Sequence, residues 1–256
     1  LRAKLDELAD PARADQQRAY LHSDLHHLGV RVPDLRRCVT AARQRARALP
    51  AAQVLVLAQD LWSTPESFAK PVYDYRRASV EILVQYARAL SSAQLGELEA
   101  LLRQCQTWAL VDPLAVHCVG VVLQRDPAAG AMPDRWIHDP DFWLRRSALL
   151  ALLPAIRAGR PDTDRLVRYC DALVGEREFF IRKALGWVLR ETSTRDPRLV
   201  TDWLDRHGSH VSPLTRREAL RRLIQPVNQS IGSTQHPDSE TQTLPALDRQ
   251  GAVVMW

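Results

Sequence analysis

The sequence predicts an all-α protein, a solenoid of about six repeated two-helix units. Three observations predict it. From Asp10 to about Leu223 apolar residues recur at three- and four-residue spacing, with no matching run of alternating apolar and polar residues. The chain has only ten glycines among 256 residues, while Asp-Pro and Ser-Pro steps punctuate it at intervals. Basic pairs head apolar helices at Arg36-Arg37, Arg76-Arg77, Arg145-Arg146, Arg182-Lys183 and Arg216-Arg217. The spacings between them are 40, 69, 37 and 34 residues, the 69 being about two units, as in a HEAT-like stack.

The elements follow in order. Asp10-Pro11 opens the first periodic segment: an Asp side chain caps the helix, and Pro at the first helical position lacks only a donor that would go unpaired. Helices headed by Arg36-Arg37 and Arg76-Arg77 come next, the latter running through Ser79 to Leu90. Leu95 to Leu110 reads as a single helix, and Asp112-Pro113 as the start of another. Asp139-Pro140 precedes Phe142 to Ile156, then come Leu166 to Val174 and Phe180 to Arg190, and Asp196-Pro197 and Ser212-Pro213 open the last two. Within this order Phe142-Trp143-Leu144-Arg145-Arg146-Ser147 aligns with Phe179-Phe180-Ile181-Arg182-Lys183-Ala184 at an offset of 37 residues.

Length and composition suit a globular protein, with 46% hydrophobic and 25% charged residues. Residues 1–225 form the predicted helical domain. Residues 226–256 lack helical period and read as a flexible polar tail. The net charge is +5, and all but three of the 35 cations are arginine, the exceptions being Lys4, Lys70 and Lys183. The tail carries Arg249 against Asp238, Glu240 and Asp248, so without it the charge rises to +7. In a repeat stack, Arg36, Arg37, Arg76, Arg77, Arg145, Arg182, Lys183, Arg216 and Arg217 would fall in a stripe on one surface, matched to the phosphates of a duplex. The alternative is that they are simply the wet faces of helices.

Several function classes drop out. No apolar run approaches the roughly 20 residues of a bilayer span. Cys38, Cys105, Cys118 and Cys170 lie far apart, as buried thiols of a cytoplasmic protein do. There is no phosphate-binding Gly-rich loop, no GxSxG and no HExxH. His22, His26 and His27 lack a carboxylate or Cys at ligand spacing, and His117-Cys118 point apart on a helix, so neither a metal nor any other cofactor is expected. What remains is Trp108 and Asp112, four apart and on one face if a helix continues through them, with Arg146 and Trp187 on later helices. Asp112 could equally be a helix cap before Pro113.

Those residues lie in blocks that resemble the AlkD-like DNA alkylation repair family of HEAT-like-repeat DNA glycosylases. The blocks are Leu28-Gly29-Val30-Arg31-Val32-Pro33-Asp34-Leu35-Arg36, Trp108-Ala109-Leu110-Val111-Asp112, Phe142-Trp143-Leu144-Arg145-Arg146-Ser147-Ala148, Phe180-Ile181-Arg182-Lys183-Ala184-Leu185-Gly186-Trp187-Val188-Leu189-Arg190-Glu191 and Arg216-Arg217-Glu218-Ala219-Leu220. The resemblance covers the chain except the tail. It implies a right-handed solenoid with a concave basic groove, and a lesion site made by Trp108, Asp112, Arg146 and Trp187. One departure is Ala109, where relatives often carry an acidic residue after the first Trp.

The implied activity is hydrolysis of the N-glycosidic bond of cationic N3- or N7-alkylated purines in duplex DNA by a monomeric, monofunctional enzyme associated with the nucleoid, without base flipping. Such a base leaves neutral, so no general acid is needed and one carboxylate suffices, unlike the pair used by ordinary glycosidases. Asp112 would stabilise the oxocarbenium charge, the faces of Trp108 and Trp187 would attract the cationic nucleoside, and Arg146 would hold a neighbouring phosphate. A non-catalytic HEAT-like module that binds DNA or a protein partner is the alternative. The two differ in whether the four residues converge, and whether the Asp112 carboxylate turns into a site or merely caps a helix.

Overall fold

The computed structural model describes residues 1–46 and 48–223; the polar tail expected over 226–256 lies outside them. The compact unit spans Leu1–Ile224. Among the described residues every regular element is helical, apart from one isolated bridge between His26 and Val72.

A short helix, α1 (Arg2–Asp6), precedes six two-helix units. They are α2 (Pro11–Leu21) and α3 (Val32–Ala46), α4 (Ala51–Trp62) and α5 (Tyr73–Gln85), then α6 (Leu95–Leu102) and α7 (Trp108–Pro113). A π-helical stretch (Leu114–Val119) continues α7 into α8 (Gly120–Arg125). The later units are α9 (Ala131–Trp136) with α10 (Phe142–Leu150) and its extension α11 (Leu153–Arg157), α12 (Thr163–Leu173) with α13 (Phe179–Ser193), and α14 (Pro197–His207) with α15 (Pro213–Leu220). The second helices stack in chain order, α3 on α5, α5 on α7, α7 on α10, α10 on α13 and α13 on α15. Leu110, Leu114, Val119, Leu144, Leu149, Ile181 and Val188 are fully buried within that layer.

Three expected starts hold: the side chains of Asp10, Asp196 and Ser212 each accept from a first-turn amide, with Pro next in the chain. Two differ. At Asp139-Pro140 the cap is two residues later, where the Asp141 carboxylate accepts from Trp143 N at 2.9 Å. Asp112-Pro113 starts nothing, because Pro113 lies inside a helix that runs on. Two long segments are also broken. Leu95 to Leu110 is interrupted between Leu102 and Trp108, around Gln106 at φ 58°. Phe142 to Ile156 breaks after Leu150, whose carbonyl loses its helical donor at Pro154.

The Leu28-Gly29-Val30 block has a structural cause. The buried Asp74 carboxylate accepts from Leu28 N at 2.7 Å and Val30 N at 3.0 Å, and burial pushes its pKa up to about 6 against those bonds. Gly29 sits at φ 79°, where a Cβ would come within 2.2 Å of the Asp10 carbonyl oxygen.

Candidate functional site

Counted from the first residue of each stacked helix, the fifth is Arg36 in α3, Arg77 in α5, Asp112 in α7, Arg146 in α10, Lys183 in α13 and Arg217 in α15. The long gap between basic pairs thus contains a complete unit, and at its register position a carboxylate replaces the cation.

That carboxylate meets the cation of the next unit. Arg146 Nε donates to Asp112 Oδ1 at 2.7 Å and Nη2 to Oδ2 at 2.8 Å, a bidentate pair. Arg146 Nη1 donates to the Phe180 carbonyl at 2.5 Å, which ties α10 to α13 as well. Arg146 is 1% exposed and Asp112 8%. Arg146, expected to hold a phosphate, has its fork on Asp112 and its head buried in this structure. Asp112 is no helix cap, since its oxygens face α10. Two of its roughly four acceptor positions stay open after the bidentate pair is made.

Trp108 is the first residue of α7, half-buried and one turn before Asp112. Tyr20 of α2 meets its ring edge-on, with centroids 6.1 Å apart and planes at 76°. Tyr20 is itself exposed, and burial of its hydroxyl raises its pKa. Sequence reasoning missed it, for nothing near Tyr20 in the chain hints at a contact with α7. Trp187, the ninth residue of α13, is buried, and its indole N–H has no acceptor. The Arg157 guanidinium lies 5.8 Å from its ring centroid, steadied by Glu191 at 3.2 Å from Nε. One side of that ring already faces a cation. Gly186 lets α13 press on α15, because a Cβ there would come within 2.6 Å of Glu218 Cβ. Asp112 and Arg146 are thus in contact, Trp108 stands a turn away, and Trp187 shares α13 with the carbonyl that receives Arg146.

Most of the expected phosphate stripe is engaged within the protein. Arg76 is buried, donating to the Gln104 carbonyl at 2.5 Å with its guanidinium 4.8 Å from the Trp62 ring. Arg77 donates to the Ala109 carbonyl at 2.5 Å. Arg145 meets the carbonyls of Asp139 and Pro140 and the Glu176 carboxylate. Lys183 pairs with Glu218 at 2.9 Å, and Arg216 donates to the Leu204 and Gly208 carbonyls. Arg182 is partly buried, its Nε unpartnered. Arg36, Arg37 and Arg217 remain exposed, Arg36 beside Glu81 and Arg37 beside Asp34. At this register Arg36, Arg77, Arg146 and Lys183 each point at the following unit.

Among the described residues no group of three His, Cys, Asp or Glu could hold a metal ion. His27 instead meets Gln17 at 2.9 Å and stacks on Tyr73, and burial pushes its pKa down to about 4. His117 is exposed while Cys118 is buried, so they form no dyad. Among the described residues no helix is long and apolar enough to cross a membrane.

The family of DNA alkylation repair enzymes matches residues 1–223. The chain belongs to that family. Membership carries a role in DNA alkylation repair and binding of DNA. The solenoid also matches solved structures. A predicted DNA alkylation repair enzyme from Enterococcus faecalis shares 21% identity at a TM-score of 0.74, over 85% of this chain and 97% of that one. AlkD2 from Streptococcus mutans shares 17% at a TM-score of 0.57, over 81% of this chain and 98% of that one. The smu.31 protein of the same species shares 17% at 0.55, over 73% and 90%. At these identities the likeness is one of fold. No curated protein matches the chain.

Proposed function

We propose that this alkylation repair enzyme is a monofunctional DNA glycosylase that releases cationic N3- or N7-alkylated purines from duplex DNA, acting as a monomer and without extruding the base. The single observation that carries this reading is the bidentate Asp112–Arg146 pair one turn from the half-buried Trp108. It fixes one carboxylate, with acceptor positions to spare, beside an aromatic face. In the reaction the bond from C1′ to the base nitrogen breaks, and its electron pair neutralises the cationic base. The deoxyribose is left as an oxocarbenium ion, which the Asp112 carboxylate stabilises. Water adds to C1′ and gives its proton to that carboxylate or to solvent. A charge pair at about 4 Å and an effective dielectric near 20 is worth roughly 4 kcal/mol, about a thousandfold in rate if realised only in the transition state.

Arg146 acts here by positioning Asp112, and phosphate contact falls to exposed cations such as Arg36, Arg37 and Arg217. The test is single-turnover release of 7-methylguanine from methylated duplex. Asp112→Asn should bind the duplex as wild type does and lose about a thousandfold in rate. An unchanged rate would sink the mechanism and favour a non-catalytic DNA-binding module.

A further inference from the structure

Asp112 lies between two backbone groups that an unbroken helix would join. The carbonyl of Ala109 would accept from the amide of residue 113, and that residue is Pro113, which has no N–H. Ala109 is buried, so water is a poor substitute. Beyond Pro113 the chain widens into the π-helical stretch, and the missing bond therefore falls at the turn that carries the carboxylate. Arg77 supplies the donor from α5, its Nη1 standing 2.5 Å from the Ala109 oxygen. The Arg77 Nε is buried without a partner, so the guanidinium is turned into the protein. Arg146 makes the equivalent reach two units later, since Ala109 and Phe180 are the second residues of α7 and α13.

We propose that Arg77 is a positioning residue for Asp112, replacing the helical bond lost at Pro113 and so fixing the turn that aims the carboxylate. The inference rests on Asp112 being the reacting carboxylate. Arg77 would slow excision when removed without touching DNA.

The test compares Arg77→Met, Pro113→Ala and the double variant in the full chain. Three quantities are read: single-turnover release of 7-methylguanine, affinity for undamaged duplex against salt, and amide hydrogen exchange over residues 108–114 without DNA. Arg77→Met should slow release about tenfold, raise exchange in that turn, and leave affinity and its salt slope unchanged. Adding Pro113→Ala restores a donor to the Ala109 carbonyl and should recover most of both losses. Weaker duplex binding with a flatter salt slope, or no recovery in the double variant, overturns the proposal. If the methionine variant melts below the assay temperature, Arg77→Gln takes its place with the same outcomes. A wild-type protein that releases no base would refute the glycosylase reading, while the exchange pattern would still decide the role of Arg77.

Discussion

Two ion pairs run from the fifth residue of a stacked helix to the next stacked helix, and they are built in opposite senses. In one, Asp112 of α7 meets Arg146 of α10; in the other, Lys183 of α13 meets Glu218 of α15. Glu218 also touches Arg190 directly and has Arg221 at 3.9 Å, so three cations surround one carboxylate. Burial, and then the charge of Arg190, holds the Lys183 amine below its usual range. Asp112 has a single cationic partner among the described residues. The Glu218 arrangement locks two helices with its charge more than matched from inside. The Asp112 arrangement leaves a carboxylate with one partner and an aromatic ring a turn away, the setting the proposed reaction uses for a cation from outside.

The largest expected effect breaks the site pair itself. Arg146→Met leaves Asp112 buried without its partner and should lower stability by about 3 to 5 kcal/mol in urea unfolding. The salt slope of duplex binding should stay as in wild type, whereas a slope flatter by about one would restore Arg146 as a phosphate contact. Next comes Trp108→Leu, expected to lose about 2 kcal/mol, roughly thirtyfold, in excision of cationic purines relative to a neutral lesion. Equal losses on both substrates would remove the cation–π contribution. Smaller still is Lys183→Met, which should destabilise by about 1 to 2 kcal/mol and leave single-turnover excision within about twofold. A tenfold loss of rate there would erase the contrast between the two pairs.

The smallest effect concerns a clamp between units. Hydrogen bonds from Arg103 hold the Asp139 carboxyl below the usual carboxylate range. A depressed carboxyl contributes stability above its unfolded pKa of about 3.9, and loses it as pH falls through the lower folded value. Asp139→Asn should therefore cost at most about 1 kcal/mol at pH 7 and progressively less as pH falls through the lowered folded value. A difference that persists in acid would place its origin in the Asp139 contact to Asp141 N instead.

The helical class and the caps at Asp10, Asp196 and Ser212 are legible because they depend on neighbours within one turn. Periodicity runs across the breaks near Gln106 and Leu150 because the segments on both sides bury apolar faces in one core. Pro113 looks like a start because Asp-Pro is a good cap locally, and only the stacking of α7 on α10 turns Asp112 the other way. The register of Asp112 was within reach of the sequence, since the long interval between basic pairs divides at Asp112. Which cations face water could not be read, for Arg77 and Arg146 choose carbonyls more than thirty residues away. Tyr20 gave no local signal at all.

The central claim is that Asp112 is a reacting carboxylate rather than a lock like Glu218. Release of free 7-methylguanine from methylated duplex, measured in single turnover for wild type and Asp112→Asn at equal DNA occupancy, tests it most directly. Release by the wild type with a loss of about a thousandfold in the variant is predicted; equal release by both, or none by either, would contradict it.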